Sequence, residues 1–293
     1  MIDLHIHTIY SDGDKTVKEI LKMCEERRLE YISITDHNSC EAYCEKNLKC
    51  NKVFSGKIII GSELGAEFQR KSIEILAYGI NPKVIIKWKE KYYSIENVKE
   101  NTQIIYNRFK KILDKKNIIF DEDAMRPQKD IYEYIERVMF EEIIKHPENK
   151  RIIGEEYFNS WILFLRKELT NPKSEYFLNR VSTYPKVEEV VNIIHIAGGK
   201  AFLAHPFEYK FEDTIGFIND LRKEVKLDGI ECFHPSSAND NKKDILVEYA
   251  RKNNLYISGG SDYHGKLKPD IEIGIGRGNL NISKEIIEEW INE

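Results

Sequence analysis

Seven short apolar runs punctuate this 293-residue chain: Ile2 to Ile6, Tyr31 to Thr35, Lys57 to Ser62, Ser72 to Tyr78, Lys200 to Ala204, Asp228 to Phe233 and Tyr256 to Gly260. Each has the length of a buried strand, and helical patterns separate several of them. Between the first two, Thr16-Val17-Lys18-Glu19 has the Thr-x-x-Glu form of a capping box, and Val17, Ile20, Leu21 and Cys24 follow at helical spacing. Late in the chain, Val187 to Ala197 reads as a helix, Gly198-Gly199 as its stop, and Asp244 to Asn253 as a further helix between the last two strands. Strands that alternate with helices pack as a mostly parallel α/β sheet, and seven of them are expected to close into a barrel.

The stretch from Pro82 to Pro185 breaks this rhythm. It is rich in Lys, Glu, Tyr and Ile, and Ile95, Val98, Thr102, Ile105, Phe109 and Ile112 recur at helical spacing. It is too long for a bare loop, so residues 82–185 are expected to form a helical insertion with its own small core, a cap on a barrel built from 1–81 and 186–293.

The chemistry lies at the ends of the apolar runs. His5 and His7 share one face of the first, because residues two apart in a strand point the same way. Asp12 follows in Ser11-Asp12-Gly13, Asp36-His37 ends the second run, and Glu63 is placed at the end of the third. His205, His234 and the pair Asp262 and His264 end the last three runs. Strand ends of a parallel barrel converge on one rim, where barrel active sites are found. Six of the eight histidines fall there, leaving His146 and His195 as structural residues. Loops alone account for Asp and Gly at strand ends but not for repeated His among carboxylates, a donor set suited to several transition-metal ions.

These strings resemble the successive motifs of the Polymerase and Histidinol Phosphatase (PHP) superfamily. They are His5-Ile6-His7-Thr8-Ile9-Tyr10-Ser11-Asp12-Gly13, Thr35-Asp36-His37, Gly61-Ser62-Glu63, Ala204-His205-Pro206 and Gly259-Gly260-Ser261-Asp262-Tyr263-His264-Gly265. The resemblance implies a distorted (β/α)7 barrel with two or three divalent ions, Mn, Fe or Zn. By analogy His5, His7, Glu63 and Asp262 hold one ion, and Asp12, His37 and His264 another. Glu63 bridges to a third, which His205 helps to hold. In Ile73-Glu74-Ile75-Leu76-Ala77 the family usually has a His where Glu74 stands, so Glu74 is the expected replacement ligand and adds a negative charge. The implied activity is hydrolysis of phosphate monoesters by metal-bound hydroxide, on nucleotides or short 5′-phosphorylated single-stranded RNA or DNA. A histidinol-phosphate phosphatase and a non-catalytic metal-binding module are the alternatives.

Other residues carry secondary expectations. Asp262 and His264 are candidates to shuttle a proton, and His234 to donate one or to touch substrate. Arg137 is a candidate phosphate contact, and Asp36 a carboxylate that orients a ligand imidazole. Glu208 follows Phe207 where the family often has a basic residue. Trp88, Tyr92, Tyr93 and Trp161 are either base-stacking aromatics or core.

The formal net charge of -4 argues against a protein that grips long nucleic acid by bulk charge. The start MIDLHIHT has neither the basic nor the apolar segment of a secretory signal, and no apolar run reaches membrane-span length. Cys24, Cys40, Cys44, Cys50 and Cys232 are irregularly spaced and lack a CxxC pair, which favours free thiols in a cytoplasmic enzyme with no obligate protein partner.

Overall fold

The computed structural model describes residues 1–44, 53–92, 94–131, 133–238, 241–278 and 280–291. The chain divides into two compact units, Met1–Glu90 with Tyr184–Glu293, and Lys91–Thr183.

The first unit is a mixed α/β structure with two sheets. Strands β1 (Ile2–Ile6), β2 (Tyr31–Ile34) and β3 (Lys57–Ile58) form a parallel sheet in the order β1-β2-β3. Strands β4 (Gly61–Phe68), β5 (Lys71–Tyr78), β6 (Lys200–Leu203), β7 (Gly229–Phe233) and β8 (Tyr256–Gly259) form a second sheet in sequence order. There β6, β7 and β8 run parallel, whereas β5 is antiparallel to both neighbours.

Two sequence expectations change here. The single strand Lys57 to Ser62 is two strands, because Ile59 N–H closes the β2 ladder on Ile32 C=O and Gly61 opens a new hairpin. That hairpin turns at Gln69 and Arg70, both with positive φ (49° and 61°), the two-residue geometry that matches strand twist. Gln-Arg is not the Asn-Gly signal such a turn usually carries, so the antiparallel pair was invisible in the sequence. The expected barrel is not one continuous sheet: two sheets meet through single parallel bridges, Ile6 to Tyr263 and His37 to Glu63. Among the described residues no continuous ladder closes the ring.

Helix Val17–Glu26 has the expected capping box, with Thr16 Oγ1 accepting from Glu19 N–H and Glu19 accepting from Thr16 N–H. Its buried face is Val17, Ile20, Leu21 and Cys24. Helix Val187–Ile196 stops at Gly198, whose φ of 81° favours glycine. These helices pack against the strands in one core with Ile6, Ile32, Leu64, Ile75, Leu203 and Ile230, while Ile2, Leu4, Leu76, Tyr78, Phe202 and Trp290 form a smaller apolar cluster. Helix Pro82–Tyr92 contributes Ile85 to the larger core, and Trp88 packs against it.

The second unit has an apolar core of its own. Helix Ile95–Lys115 buries Ile105, Tyr106, Phe109 and Leu113, and helix Ile135–Ile143 buries Val138, Met139, Phe140 and Ile143. Trp161 packs on Phe140 with ring centroids 5.4 Å apart, a core role and not an open stacking platform. Tyr93 lies outside the described residues, as does Cys50. His146 pairs with Glu142 at 2.6 Å and His195 with Asp228 at 2.7 Å, both structural contacts. Cys24, Cys40 and Cys232 are buried free thiols and Cys44 is exposed. Among the described residues no helix is long and apolar enough to cross a membrane.

Candidate metal centre

Nine side chains singled out as ligands come together in the first unit, in four overlapping groups. His5 and His7 come from β1, Asp12 from the loop after it, and His37 from the end of β2. Glu63 is the third residue of β4, not the end of the third strand, because the hairpin starts at Gly61. Glu74 sits on β5, His205 follows β6, and Asp262 and His264 follow β8. His205 and Asp262 have positive φ (24° and 56°), a conformation costly for non-glycine residues and often found at functional sites. Gly260 is required beside them, since a Cβ there would lie 2.3 Å from His5 N.

Four atoms define the inner group. Glu63 Oε2 lies 3.2 Å from His5 Nε2 and 3.3 Å from His7 Nε2, and Asp262 Oδ1 lies 3.5 and 3.4 Å from the same nitrogens. An ion bonded at about 2.0–2.2 Å places tetrahedral ligand atoms roughly 3.3–3.6 Å apart, so each of these four contacts has about the length of a ligand edge, and His5, His7 and Asp262 lie within reach of one ion. His5 Nε2, His7 Nε2 and Glu63 Oε2 are buried with no hydrogen-bond partner. Leaving such atoms unpaired costs about 1–3 kcal/mol each, which a cation between them would offset.

The outer groups mix the buried His264 and His205 with the more open Asp12, His37 and Glu74. Asp12 Oδ1 faces His264 Nε2 at 3.2 Å, His7 Nδ1 at 3.6 Å and His37 Nε2 at 3.7 Å. The other nitrogen of His37 is 3.1 Å from Glu63 Oε2 and 3.4 Å from Glu74 Oε1. His205 Nε2 is 2.9 Å from Glu63 Oε1 and 3.2 Å from Glu74 Oε2. Glu74 therefore reaches from β5 to both His37 and His205. Its backbone is held by Tyr209, whose hydroxyl accepts from Glu74 N–H at 2.8 Å and whose ring lies 5.5 Å from that of His205.

Residues behind the ligands were mostly missed by sequence reasoning. Glu231, fully buried on β7, accepts from His5 Nδ1–H and from His205 N–H, both at 2.8 Å. Asp3 accepts backbone N–H bonds from His5, Ser261 and Gly274. Asp36 does not touch an imidazole as expected. It accepts from Thr8 N–H, Thr8 Oγ1–H and Ser11 Oγ–H, each at 2.7 Å, and so fixes the loop that presents Asp12. The partners of all three carboxylates are backbone or hydroxyl groups, or side chains far away in sequence, which leaves no motif to read.

His234 follows β7, and Ser236 N–H donates to its Nδ1 at 3.0 Å. The ring proton is thereby left on Nε2, which donates to Asp262 Oδ2 at 3.2 Å. Lys268 donates to the same oxygen. Arg137 lies on helix Ile135–Ile143 of the second unit, half-exposed, with its Nε 3.3 Å from Glu141.

The charges explain how so many carboxylates and imidazoles share this space. Burial opposes ionisation of Glu63, but His5, His37 and His205 hold it well below the usual carboxylate range. Burial likewise opposes ionised Asp262, which His5, His234, His7 and Lys268 keep low, and ionised Asp12, which His264 and His37 keep low. Burial disfavours protonated His7, yet Asp262 and Glu63 push it up to about 9. His5 and His205 rise well above the usual imidazole value against the same penalty, whereas burial and the neighbouring His7 lower His264. The cluster thus holds protons where a divalent ion would displace them.

The sequence pattern of the PHP domain matches residues 3–291. The chain is 25% identical to the 5′-3′ exoribonuclease Rnm of Escherichia coli over 93% of its length and 87% of that protein's. It is 24% identical to the phosphoribosyl 1,2-cyclic phosphate 1,2-diphosphodiesterase of Eggerthella lenta, covering 90% of this chain and 94% of the relative. It is 23% identical to the 3′,5′-nucleoside bisphosphate phosphatase of Chromobacterium violaceum, covering 93% and 90%. Among solved structures, a protein described as a metal-dependent phosphoesterase from Bifidobacterium adolescentis superposes with a TM-score of 0.65 at 20% identity, over 98% of this chain and 94% of that one.

Proposed function

The chain belongs to the PHP-domain family and is a metal-dependent phosphoesterase, and from that premise we propose that it hydrolyses phosphate monoesters of nucleotides or short 5′-phosphorylated oligonucleotides. The observation that carries the reading is the convergence of the His5 and His7 imidazoles on Asp262 and on Glu63 at contacts of ligand-edge length. The two single bridges between the sheets support a distorted (β/α)7 barrel as the underlying scaffold. Buried free thiols are consistent with a cytoplasmic enzyme.

In this reading His5, His7, Glu63 and Asp262 hold one ion, Asp12, His37 and His264 a second, and Glu63, Glu74 and His205 a third. Divalent Mn, Fe or Zn held there supplies Lewis acidity, which acidifies water and neutralises charge on phosphoryl oxygens. The chain's own residues do the rest. Glu231 and Asp3 keep His5 in place, and Asp36 keeps Asp12 in reach of His264. Asp262 or His264 moves a proton within the cluster, His234 is proposed to touch substrate beside it, and Arg137 of the second unit is proposed to bind phosphate. The nucleotide preference is supported by the three relatives, named for RNA, a phosphoribosyl cyclic phosphate and a nucleoside bisphosphate.

The test is a panel of nucleoside bisphosphates, mononucleotides, short 5′-phosphorylated oligonucleotides and a generic aryl phosphate, assayed with added Mn2+. Turnover should be highest on a nucleotide substrate and vanish in Asp262→Ala. An Asp262→Ala protein as fast as wild type would place the chemistry elsewhere, and equal rates on every ester would remove the nucleotide assignment.

A further inference from the structure

The two oxygens of Asp262 stand in different surroundings. Oδ1 faces His5 Nε2, His7 Nε2 and His264 Nδ1 at 3.5, 3.4 and 3.3 Å. Oδ2 is turned the other way, where it accepts from the Lys268 ammonium and from His234 Nε2–H. Lys268 reaches it from the end of the turn Gly265–Leu267, where Lys268 N–H donates to Gly265 C=O at 3.1 Å. The carboxylate itself is 5% exposed and the lysine side chain 34%. Neither the motifs nor the ligand analogy assigns Lys268 a role.

A carboxylate can bind a cation through one oxygen or both, and the choice sets both the bite and the charge delivered. With two donors on Oδ2, only Oδ1 remains to point at the inner group. The positive φ of Asp262 fixes the backbone, and Lys268 and His234 fix the end of the side chain. A lysine suits the task because its ammonium is a compact charge with rotatable donors, and a charge-assisted bond to a carboxylate is about twice as strong as a neutral one. We propose that Lys268 is a positioning residue that holds Asp262 as a one-oxygen ligand and thereby sets the affinity of the inner metal group. This inference rests on the metal-centre reading above.

The experiment compares wild type, Lys268→Met, Lys268→Gln and Lys268→Arg, stripped of metal and titrated with Mn2+ by calorimetry. It adds kcat and KM on the aryl phosphate at saturating Mn2+, and thermal melts by circular dichroism. Lys268→Met should bind the tightest Mn2+ about 10–100-fold more weakly, the range seen when a group behind a metal ligand is lost. Its KM should be unchanged, and Lys268→Arg should recover part of the lost affinity. Should Lys268→Met fail to melt cooperatively, Lys268→Gln carries the same expectation. Wild-type Mn2+ affinity in the folded Met or Gln variant overturns the inference. That result with a raised KM would make Lys268 a substrate contact instead. A wild-type protein that takes up no Mn2+ overturns this inference and the metal-centre reading together.

Discussion

His5, His7, Glu63 and Asp262 have side chains at most 5% exposed, whereas Asp12, His37 and Glu74 are 44%, 30% and 33% exposed. Two inner residues also have their second polar atom occupied, His5 by Glu231 and Asp262 by Lys268 and His234. The outer carboxylates have fewer such contacts, and their hold comes through the backbone, from the loop that Asp36 ties down and from the Tyr209 hydroxyl on Glu74. The difference teaches that one part of the centre is preset before any ion arrives, and the other is completed with solvent and substrate at hand.

The comparison breaks most completely at Glu63, which touches both parts through its two oxygens. Glu63→Gln should lose ions from inner and outer groups together and lower turnover by ~10³-fold or more, on the scale of losing a main electrostatic stabiliser. Metal content by elemental analysis and kcat check this. If only one ion is lost, the two groups are independent. Glu231→Gln sharpens the contrast. It should weaken the inner ion by about 10–100-fold and leave the ion at Asp12, His37 and His264 unchanged, read by Mn2+ titration.

Acidity separates the parts more gently. His7 is held protonated up to about pH 9 by Asp262 and Glu63, and an ion needs it neutral. Below that pH each released proton weakens binding by about tenfold per pH unit, so Mn2+ affinity should rise from pH 6 to 9 with net proton release. Calorimetry in buffers of different ionisation enthalpy would show it. A flat profile would mean that the ligands are already neutral.

Glu74→Ala should remove one outer ion and slow turnover while the tightest ion stays, and Glu74→His should retain all ions and activity. Equal metal content and rate in Glu74→Ala would make Glu74 a bystander. The smallest effect is expected at Arg137, which lies in the second unit and pairs with Glu141. Arg137→Ala should raise KM by a few-fold with metal content and kcat unchanged, as loss of a uniform binding contact does.

What the sequence revealed follows from where the information lies. The run of His and carboxylates at strand ends was legible because residue type alone limits what those side chains do, and the structure gathers all nine. The cap of helix Val17–Glu26 was legible because Thr16 and Glu19 satisfy each other within four residues. The β4–β5 hairpin was hidden by a Gln-Arg turn, and with it the true position of Glu63. Glu231 and His5 are 226 residues apart in sequence, so nothing local marks the carboxylate as a support for the ring. Asp36 was assigned the wrong partner because a carboxylate beside a histidine in sequence can equally serve a neighbouring loop.

The ligands are also drawn from segments far apart in the sequence. Asp262 N–H donates to His5 C=O at 2.8 Å, and Ile2 N–H donates to Ile282 C=O at 3.0 Å, so β1 is flanked by residues synthesised long after it. Contacts of such long sequence separation form slowly because a large loop must close first. During synthesis His5 and His7 therefore emerge long before Asp262 and His264 exist to complete their surroundings. A nascent chain that has not yet reached Asp262 and His264 carries the two histidines without them, so competence for binding the ions arrives only after those residues emerge, as a late and cooperative step of folding.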